Sequence, residues 1–154
     1  MVTGVTPGDS WQTVFEIFSP LRVTAAMRAM PSLTLVGGDS FDLQKDEYGR
    51  SWDFLKEEDR RRCRERVLKE KPYFVIGSPP CTLFSTLQNL SRAKRENTPE
   101  FRARLAEARV LLEFMTEIYE IQLAGGRHFL HEHPVGAVSW SEPGIKRLRG
   151  DSRV

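Results

Sequence analysis

Cysteine is scarce in this sequence, and so is any signal for a membrane or secretory segment. Only Cys63 and Cys81 occur among the 154 residues, and their different sequence settings argue for reduced thiols rather than a structural disulfide. No apolar run approaches the roughly 20 residues of a membrane-spanning helix. The N-terminus has no basic region followed by an apolar stretch. The sequence therefore predicts an intracellular protein, and a nuclear one if its source is a eukaryote.

The chain also lacks a strong excess of charge of either sign. Lys and Arg number 23 and Asp and Glu number 21, which gives a formal net charge of +2. That balance permits binding to nucleic acid but does not predict it unaided. Basic runs at residues 60–62 and 92–95 could contact phosphates, although a solvated helix face and a solvated loop would explain them equally well.

What is present is an alternation of strand-like and helix-like segments, in a chain of ordinary size for one domain. We interpret residues 1–12 as a lead-in segment and residues 13–154 as one domain. Strands are predicted at residues 14–18, 33–36, 73–76 and 127–131, and helices at residues 22–30, 57–69 and 99–124. The third helix is predicted to start with Thr98 as N-cap and Pro99 as its first residue. Its apolar residues recur at helical spacing and predict a face packed on the sheet, namely Phe101, Leu105, Ala108, Leu112, Met115 and Ile118. Gly37 and Gly38 are taken to begin a loop, and residues 135–154 show no further strand. This order predicts an α/β fold with a doubly wound, mostly parallel sheet.

Several chemically distinctive residues follow the ends of the predicted strands. Ser19, Asp42, Ser78 and Glu132 each come directly or almost directly after a strand. In open parallel sheets, ligands bind beyond the carboxyl ends of the strands, near the point where the strand order reverses. We therefore expect these residues to meet at one edge of the sheet.

The segment from Ser78 to Cys81 carries the most distinctive chemistry. Two prolines precede Cys81 and hold its backbone in a stiff loop. A thiolate attacks electron-poor carbons well, but an isolated cysteine is more often a small apolar residue. Glu132 follows the next predicted strand, and a carboxyl group beside the thiol suits a substrate that needs both a donor and an acceptor, as a pyrimidine ring does.

In the order and spacing of these motifs, the sequence resembles the DNA (cytosine-5) methyltransferases over roughly residues 14–140. Residues 14–20 are similar to the first cofactor motif of that family, residues 77–81 to its Pro-Cys loop, and residues 131–134 to its Glu-Asn-Val motif. The resemblance implies a Rossmann-like methyltransferase domain that uses S-adenosylmethionine and binds DNA. It implies Cys81 and Glu132 as the catalytic pair, and as cofactor-binding residues Phe18, Ser19, Asp42, Asp53 and Ser78. Phe18 would lie against the adenine, Asp42 would hold the ribose hydroxyls, and Asp53 would lie near the adenine amine.

The sequence also departs from that family. Ser19 and Pro20 stand where the family has a glycine-rich loop, Thr82 replaces a glutamine, and His133 and Pro134 replace Asn-Val. The family's later motifs do not follow. We therefore expect a partial or divergent copy of the domain, such as a piece of a mobile-element polyprotein, with little turnover.

Three other interpretations are compatible with these residues. His128, His131, His133 and Cys81 have the side-chain types of a metal site, but their order and spacing do not fit a zinc motif, so no metal is predicted. A Cys-His hydrolase would use His131 or His133 to activate Cys81. A noncatalytic module that binds nucleic acid or protein would keep the same sheet. Trp52 and Trp140 could line the cleft, but core residues that anchor loops are the preferred interpretation.

Overall fold

Four strands and four α-helices alternate along the part of the chain that the computed structural model describes, namely residues 12–30, 34–44, 49–85 and 98–154. The strands are β1 Gln12–Ile17, β2 Leu35–Phe41, β3 Phe74–Gly77 and β4 His128–His131. The helices are α1 Val23–Arg28, α2 Glu57–Glu70, α3 Pro99–Ala124 and α4 Pro143–Arg149. Short 3-10 turns span Thr82–Phe84 and Val138–Ser141.

The strands form one parallel sheet in the order β2-β1-β3-β4. The chain runs outward from β1 to β2, crosses back past β1 to β3, and then continues outward to β4. The strand order therefore reverses between β1 and β3, which is where a ligand site is expected in such a sheet. The predicted α/β fold with a parallel sheet is confirmed, and it is compatible with a Rossmann-like fold.

The helices cover both faces of the sheet. On one face the Glu16 carboxylate binds Thr24 of α1, and the backbone of Thr24 also lies against Gly37 of β2. On the other face Gly77 of β3 lies beneath Tyr119 of α3, and α2 contacts α3. The main apolar core is on this second face. None of the described helices is long and apolar enough to cross a membrane.

Helix α3 begins where the sequence predicts. The Thr98 hydroxyl accepts a hydrogen bond from the Phe101 N–H at 3.2 Å, and Pro99 is the first helical residue, an arrangement that satisfies one of the free N–H groups at a helix start. The buried side chains of α3 include the predicted core residues Ala108, Leu112, Met115 and Ile118. The helical spacing of apolar residues thus identified the face that packs on the sheet.

Two predictions about the elements were wrong or incomplete. Strand β2 does not end before Gly37 but continues through both glycines to Phe41. Glycine is required at residue 37 because a Cβ atom there would overlap the carbonyl oxygen of Thr24. Helix α4 was not predicted, although Pro143 begins it and its apolar residues Ile145 and Leu148 are buried.

Other predictions concern the ends of the domain and two tryptophans. The proposed lead-in lies outside the described residues, apart from Gln12, which begins β1. Trp52 is 7% exposed and belongs to the core. Trp140 packs against the core and donates its indole N–H to the Pro134 carbonyl at 2.9 Å. Both tryptophans therefore pack in or against the core, and Trp52 also lines the cavity beside the end of β2.

Candidate functional site

Backbone hydrogen bonds continue past the carboxyl ends of the strands and align the loops there. The Phe18 N–H donates to the carbonyl of Phe41, the last residue of β2, at 2.8 Å. The Ser78 N–H donates to the carbonyl of Ile17, the last residue of β1, at 3.1 Å. The Glu132 N–H donates to the carbonyl of Gly77, the last residue of β3, at 2.9 Å. Since Asp42 directly follows β2, the residues expected at one edge of the sheet are indeed neighbours there.

A cavity of about 570 Å³ lies beside the end of β2, a volume in the range of small-molecule sites. Asp42 lines it together with Pro20 from the loop after β1 and Trp52, whose N–H donates to the Asp42 carbonyl at 2.8 Å. The half-buried Asp42 carboxylate forms no hydrogen bond or ion pair with the described residues. Cys81 and Glu132 do not line this cavity.

Phe18 has a backbone conformation that is rare for a side chain of its size. Its φ angle is 63°, in the left-handed region that costs a non-glycine residue on the order of 1–3 kcal/mol. Its ring packs edge-on against the ring of Phe54, with the ring centroids 4.8 Å apart. The centroid of the Phe114 ring lies 6.4 Å from that of Phe18. These ring contacts hold the strained residue, and part of its side chain stays exposed at the sheet edge.

Glu16 is the most heavily bonded polar side chain at this edge, and it was not among the predicted site residues. It is 1% exposed and accepts hydrogen bonds from the N–H groups of Arg22, Val23 and Thr24 at 3.2, 3.1 and 2.8 Å. The Thr24 hydroxyl donates to it at 2.6 Å. The Ser19 hydroxyl lies 3.3 Å from the Glu16 carboxylate and 2.9 Å from the Pro20 carbonyl.

The hydrogen bonds to Glu16 determine both its charge and the chemistry available at the start of α1. Burial tends to raise the pKa of this carboxyl, but the bonds from Thr24, Val23 and Arg22 together hold it below the ordinary value of 4.5. Glu16 is therefore ionised at neutral pH. Its charge occupies the helix N-terminus that a dinucleotide pyrophosphate would need, which excludes that type of cofactor binding at α1.

Asp53 takes part in the start of α2 rather than in the cavity wall. Its carboxylate accepts a hydrogen bond from the Leu55 N–H at 3.1 Å and lies 3.5 Å from the Lys56 ammonium group. Its own N–H donates to Asp59 at 3.0 Å. The ring of Phe54, the residue after Asp53, contacts the ring of Phe18 at the sheet edge. Asp53 is therefore one residue away in sequence from a residue that packs at this edge.

Cys81 is a half-buried free thiol in the loop after β3. Its carbonyl accepts a hydrogen bond from the Phe84 N–H at 2.9 Å, which closes the 3-10 turn that follows. Glu132, after the adjacent strand, is exposed. The two proposed catalytic residues therefore lie in neighbouring loops at the carboxyl edge of β3 and β4.

The histidines next to these loops are already engaged. Both nitrogens of His133 have partners, the Ser139 hydroxyl at 2.6 Å and the Pro79 carbonyl at 2.9 Å. His131 Nδ1 lies 3.0 Å from the Tyr119 hydroxyl, while its buried Nε2 has no hydrogen-bond partner among the described residues. Burial lowers the pKa of His131 to about 4, with a further contribution from His133, and burial also lowers the pKa of His133.

These contacts bear on the metal and hydrolase interpretations. No described hydrogen bond joins either imidazole to Cys81, and His133 has no free nitrogen with which to activate a thiol. Among the described residues, no group of three or more His, Cys, Asp or Glu side chains could hold a metal ion. Neither interpretation gains support from the geometry.

The basic run at residues 60–62 is paired within and around α2. Arg60 binds Glu57 at 2.6 Å, Arg61 binds Glu58 at 2.7 Å, and Arg62 binds Asp59 at 2.9 Å. Such exposed pairs neutralise the helix face locally. The second run, residues 92–95, lies outside the described residues.

Sequence reasoning missed Glu16, Ser139 and the structural role of His133. An acidic residue inside an otherwise apolar strand is the only sequence signal for Glu16, and nothing local identifies the two partners of His133. No protein-family model, curated protein or solved structure matched the chain. The functional assignment therefore rests on the residues of the site and on the motif resemblance described above.

Proposed function

We propose that this chain is a divergent methyltransferase domain that uses S-adenosylmethionine and acts on cytosine in DNA. The observation that carries the proposal is the row of Asp42, Phe18, Ser78 and Glu132 along one sheet edge. Asp42 lines a cavity there, and its carboxylate has no hydrogen-bond or ion-pair partner among the described residues. The point where the strand order reverses lies within this row. Sequence resemblance and sheet topology thus favour the same edge.

The adenosine part of such a cofactor is proposed to lie between the cavity and the loops beside it. Of the proposed cofactor residues, only Asp42 lines the cavity. A carboxylate without an internal partner can accept hydrogen bonds from two ribose hydroxyls. Phe18 offers a partly exposed aromatic ring, and Ser19, Asp53 and Ser78 stand in the adjoining loops as further cofactor contacts. Bound S-adenosylmethionine would supply an electrophilic methyl group.

Cys81 and Glu132 are proposed to act on the cytosine. The Cys81 sulfur would add to C6 across the C5–C6 double bond and so make C5 nucleophilic, while Glu132 would hydrogen-bond to the ring nitrogen. Once C5 carries the methyl group, loss of the C5 proton to solvent and elimination of the Cys81 sulfur from C6 would restore the double bond and free the thiol. The base must first leave the duplex, since the ring is not accessible inside the stack. Both side chains stand at the ends of adjacent strands, which allows them to reach one flipped base.

The first prediction concerns cofactor binding. S-adenosylhomocysteine is expected to bind the chain, and Asp42→Ala should weaken that binding by about 1.5–3 kcal/mol, because a charged acceptor of hydroxyl groups is lost. Isothermal titration calorimetry measures both values. Asp39→Ala is the matched control, because Asp39 lines the same cavity but is paired with Arg66 at 2.7 Å.

Two outcomes would contradict this prediction in different ways. A folded chain that does not bind S-adenosylhomocysteine at millimolar concentration contradicts the cofactor assignment. Undiminished affinity in the Asp42→Ala protein contradicts only the role of Asp42. An equal loss in the Asp39→Ala protein would point to a general effect of charge in the cavity.

The second prediction is that methyl transfer by this chain is weak or absent. The loop at Ser19 and Pro20 provides few backbone donors, and a misplacement of reacting groups by about 1 Å can cost on the order of 100-fold in rate. Tritiated methyl transfer to mixed DNA is the assay, with Cys81→Ser as the test variant and Cys63→Ala as the thiol control. Rapid transfer would show the prediction of weak activity to be wrong, and its loss in Cys81→Ser alone would support the covalent mechanism.

A noncatalytic binding module is the second candidate function. It is favoured by the fact that neither Cys81 nor Glu132 lines the cavity beside Asp42. Retained DNA or protein binding by a chain that does not bind S-adenosylhomocysteine would support this second function.

A further inference from the structure

The loop that carries Cys81 has almost no backbone donors of its own. Pro79 and Pro80 lack an N–H, so the chain between Ser78 and Cys81 can only accept hydrogen bonds. The buried Pro79 receives one from His133, whose Nε2 lies 2.9 Å from the Pro79 carbonyl oxygen. An imidazole from the loop after β4 therefore holds the loop after β3.

The partners of His133 determine which nitrogen carries the proton. A carbonyl oxygen can only accept, so Nε2 must carry the hydrogen, and Nδ1 of the neutral ring then accepts from the Ser139 hydroxyl at 2.6 Å. His133 is 8% exposed and Ser139 is fully buried. The neutral ring thus satisfies both partners, and burial, which lowers its pKa, favours that form at neutral pH.

The same imidazole also contacts the chain after Cys81. Its ring centroid lies 6.1 Å from that of Phe84, which is 1% exposed. The Phe84 N–H in turn donates to the Cys81 carbonyl. His133 therefore contacts residues on both sides of Cys81 in the sequence.

We propose that His133 is a positioning residue for Cys81, holding the thiol in place through the Pro79 carbonyl and the Phe84 ring. The inference rests on the proposed function only for the role of Cys81 as the nucleophile. His133 touches no reacting atom. Ser139 supports it by fixing the orientation of the ring.

The test compares the rate at which iodoacetamide alkylates Cys81 in the unmodified chain and in three variants, measured by mass spectrometry. His133→Gln keeps a donor that can reach Pro79, whereas His133→Asn is too short and Ser139→Ala removes the support. Loss of the anchoring bond in His133→Asn should raise the rate on the order of 10-fold. His133→Gln keeps the bond to Pro79 but loses the bond to Ser139. We therefore expect the rates of His133→Gln and Ser139→Ala to lie between those of the unmodified chain and His133→Asn.

Two internal controls keep the experiment decisive. His128→Gln changes an exposed histidine of β4 that contacts Tyr73, away from the loop, and should leave the rate unchanged. Cys63 is fully buried, so its labelling in the same samples reports unfolding. If Cys63 is labelled rapidly in His133→Asn, Ser139→Ala becomes the deciding variant.

The inference would be overturned if Cys81 is alkylated at the same rate in the unmodified chain, His133→Asn and Ser139→Ala. It would also be overturned if His133→Gln is alkylated as fast as a folded His133→Asn protein. The assay contains neither cofactor nor DNA, so it is independent of the proposed function. The expected alkylation pattern without binding of S-adenosylhomocysteine would support the positioning role and reject the methyltransferase. Methyl transfer that requires Cys81, together with equal alkylation rates in the unmodified chain and the variants, would support the methyltransferase and reject the positioning role.

Discussion

Replacement of Glu16 by alanine is expected to lower the free energy of unfolding by about 3–5 kcal/mol, because a buried charged acceptor is removed from several donors. The N–H groups of Arg22, Val23 and Thr24 and the Thr24 hydroxyl would all lose their acceptor. Typical domains have only about 5–15 kcal/mol of stability in total. Denaturant unfolding at pH 7 measures the loss, and a change below about 1 kcal/mol would contradict the prediction.

Glu16→Gln is the matched control, since it keeps the shape and one acceptor oxygen but removes the charge. Because the pKa of Glu16 lies below its ordinary value of 4.5, the stabilisation from its charge is complete above that pH. It is lost as the pH falls through the lowered value. The stability difference between the unmodified chain and Glu16→Gln should therefore shrink on acidification, and a difference that grows would contradict the assignment.

Gly37→Ala is expected to be the other severe substitution, costing about 3 kcal/mol or more, because the overlap is with backbone and not with a movable side chain. A Cβ atom at this residue would overlap the Thr24 carbonyl oxygen and would lie 2.8 Å from the Thr24 carbonyl carbon and 2.9 Å from its Cα. Helix α1 would have to move away from β2. Thermal and denaturant unfolding measure the effect.

Gly150→Ala is the matched control for Gly37→Ala. A Cβ atom there would lie 3.5 Å from the Lys146 carbonyl oxygen and 3.6 Å from that of Arg147, which are ordinary contacts. We expect a change within about 0.5 kcal/mol. Similar losses at Gly37 and Gly150 would show that the close approach of α1 to β2 is not what makes glycine necessary.

The predicted elements that proved correct depend on local patterns. The spacing of apolar residues identified the buried face of α3, and Thr98 and Pro99 marked its start, because both signals act within one or two helical turns. The same reasoning placed Cys81 and Glu132 in loops after neighbouring strands. It failed at Gly37, where glycine looks locally like the end of a strand but is required by the packing of a helix.

The sequence by itself determined the alternation of strands and helices and, through the rules of parallel sheets, the edge at which the distinctive residues meet. Only the tertiary structure decided that Asp42 faces the cavity while Cys81 and Glu132 do not, that Glu16 binds the start of α1, and that His133 holds the Cys81 loop. The physical reason is that periodicity and capping act between residues close in the chain. The partners of a buried carboxylate or imidazole are instead set by where distant segments meet, as at His133 and Pro79, which are 54 residues apart.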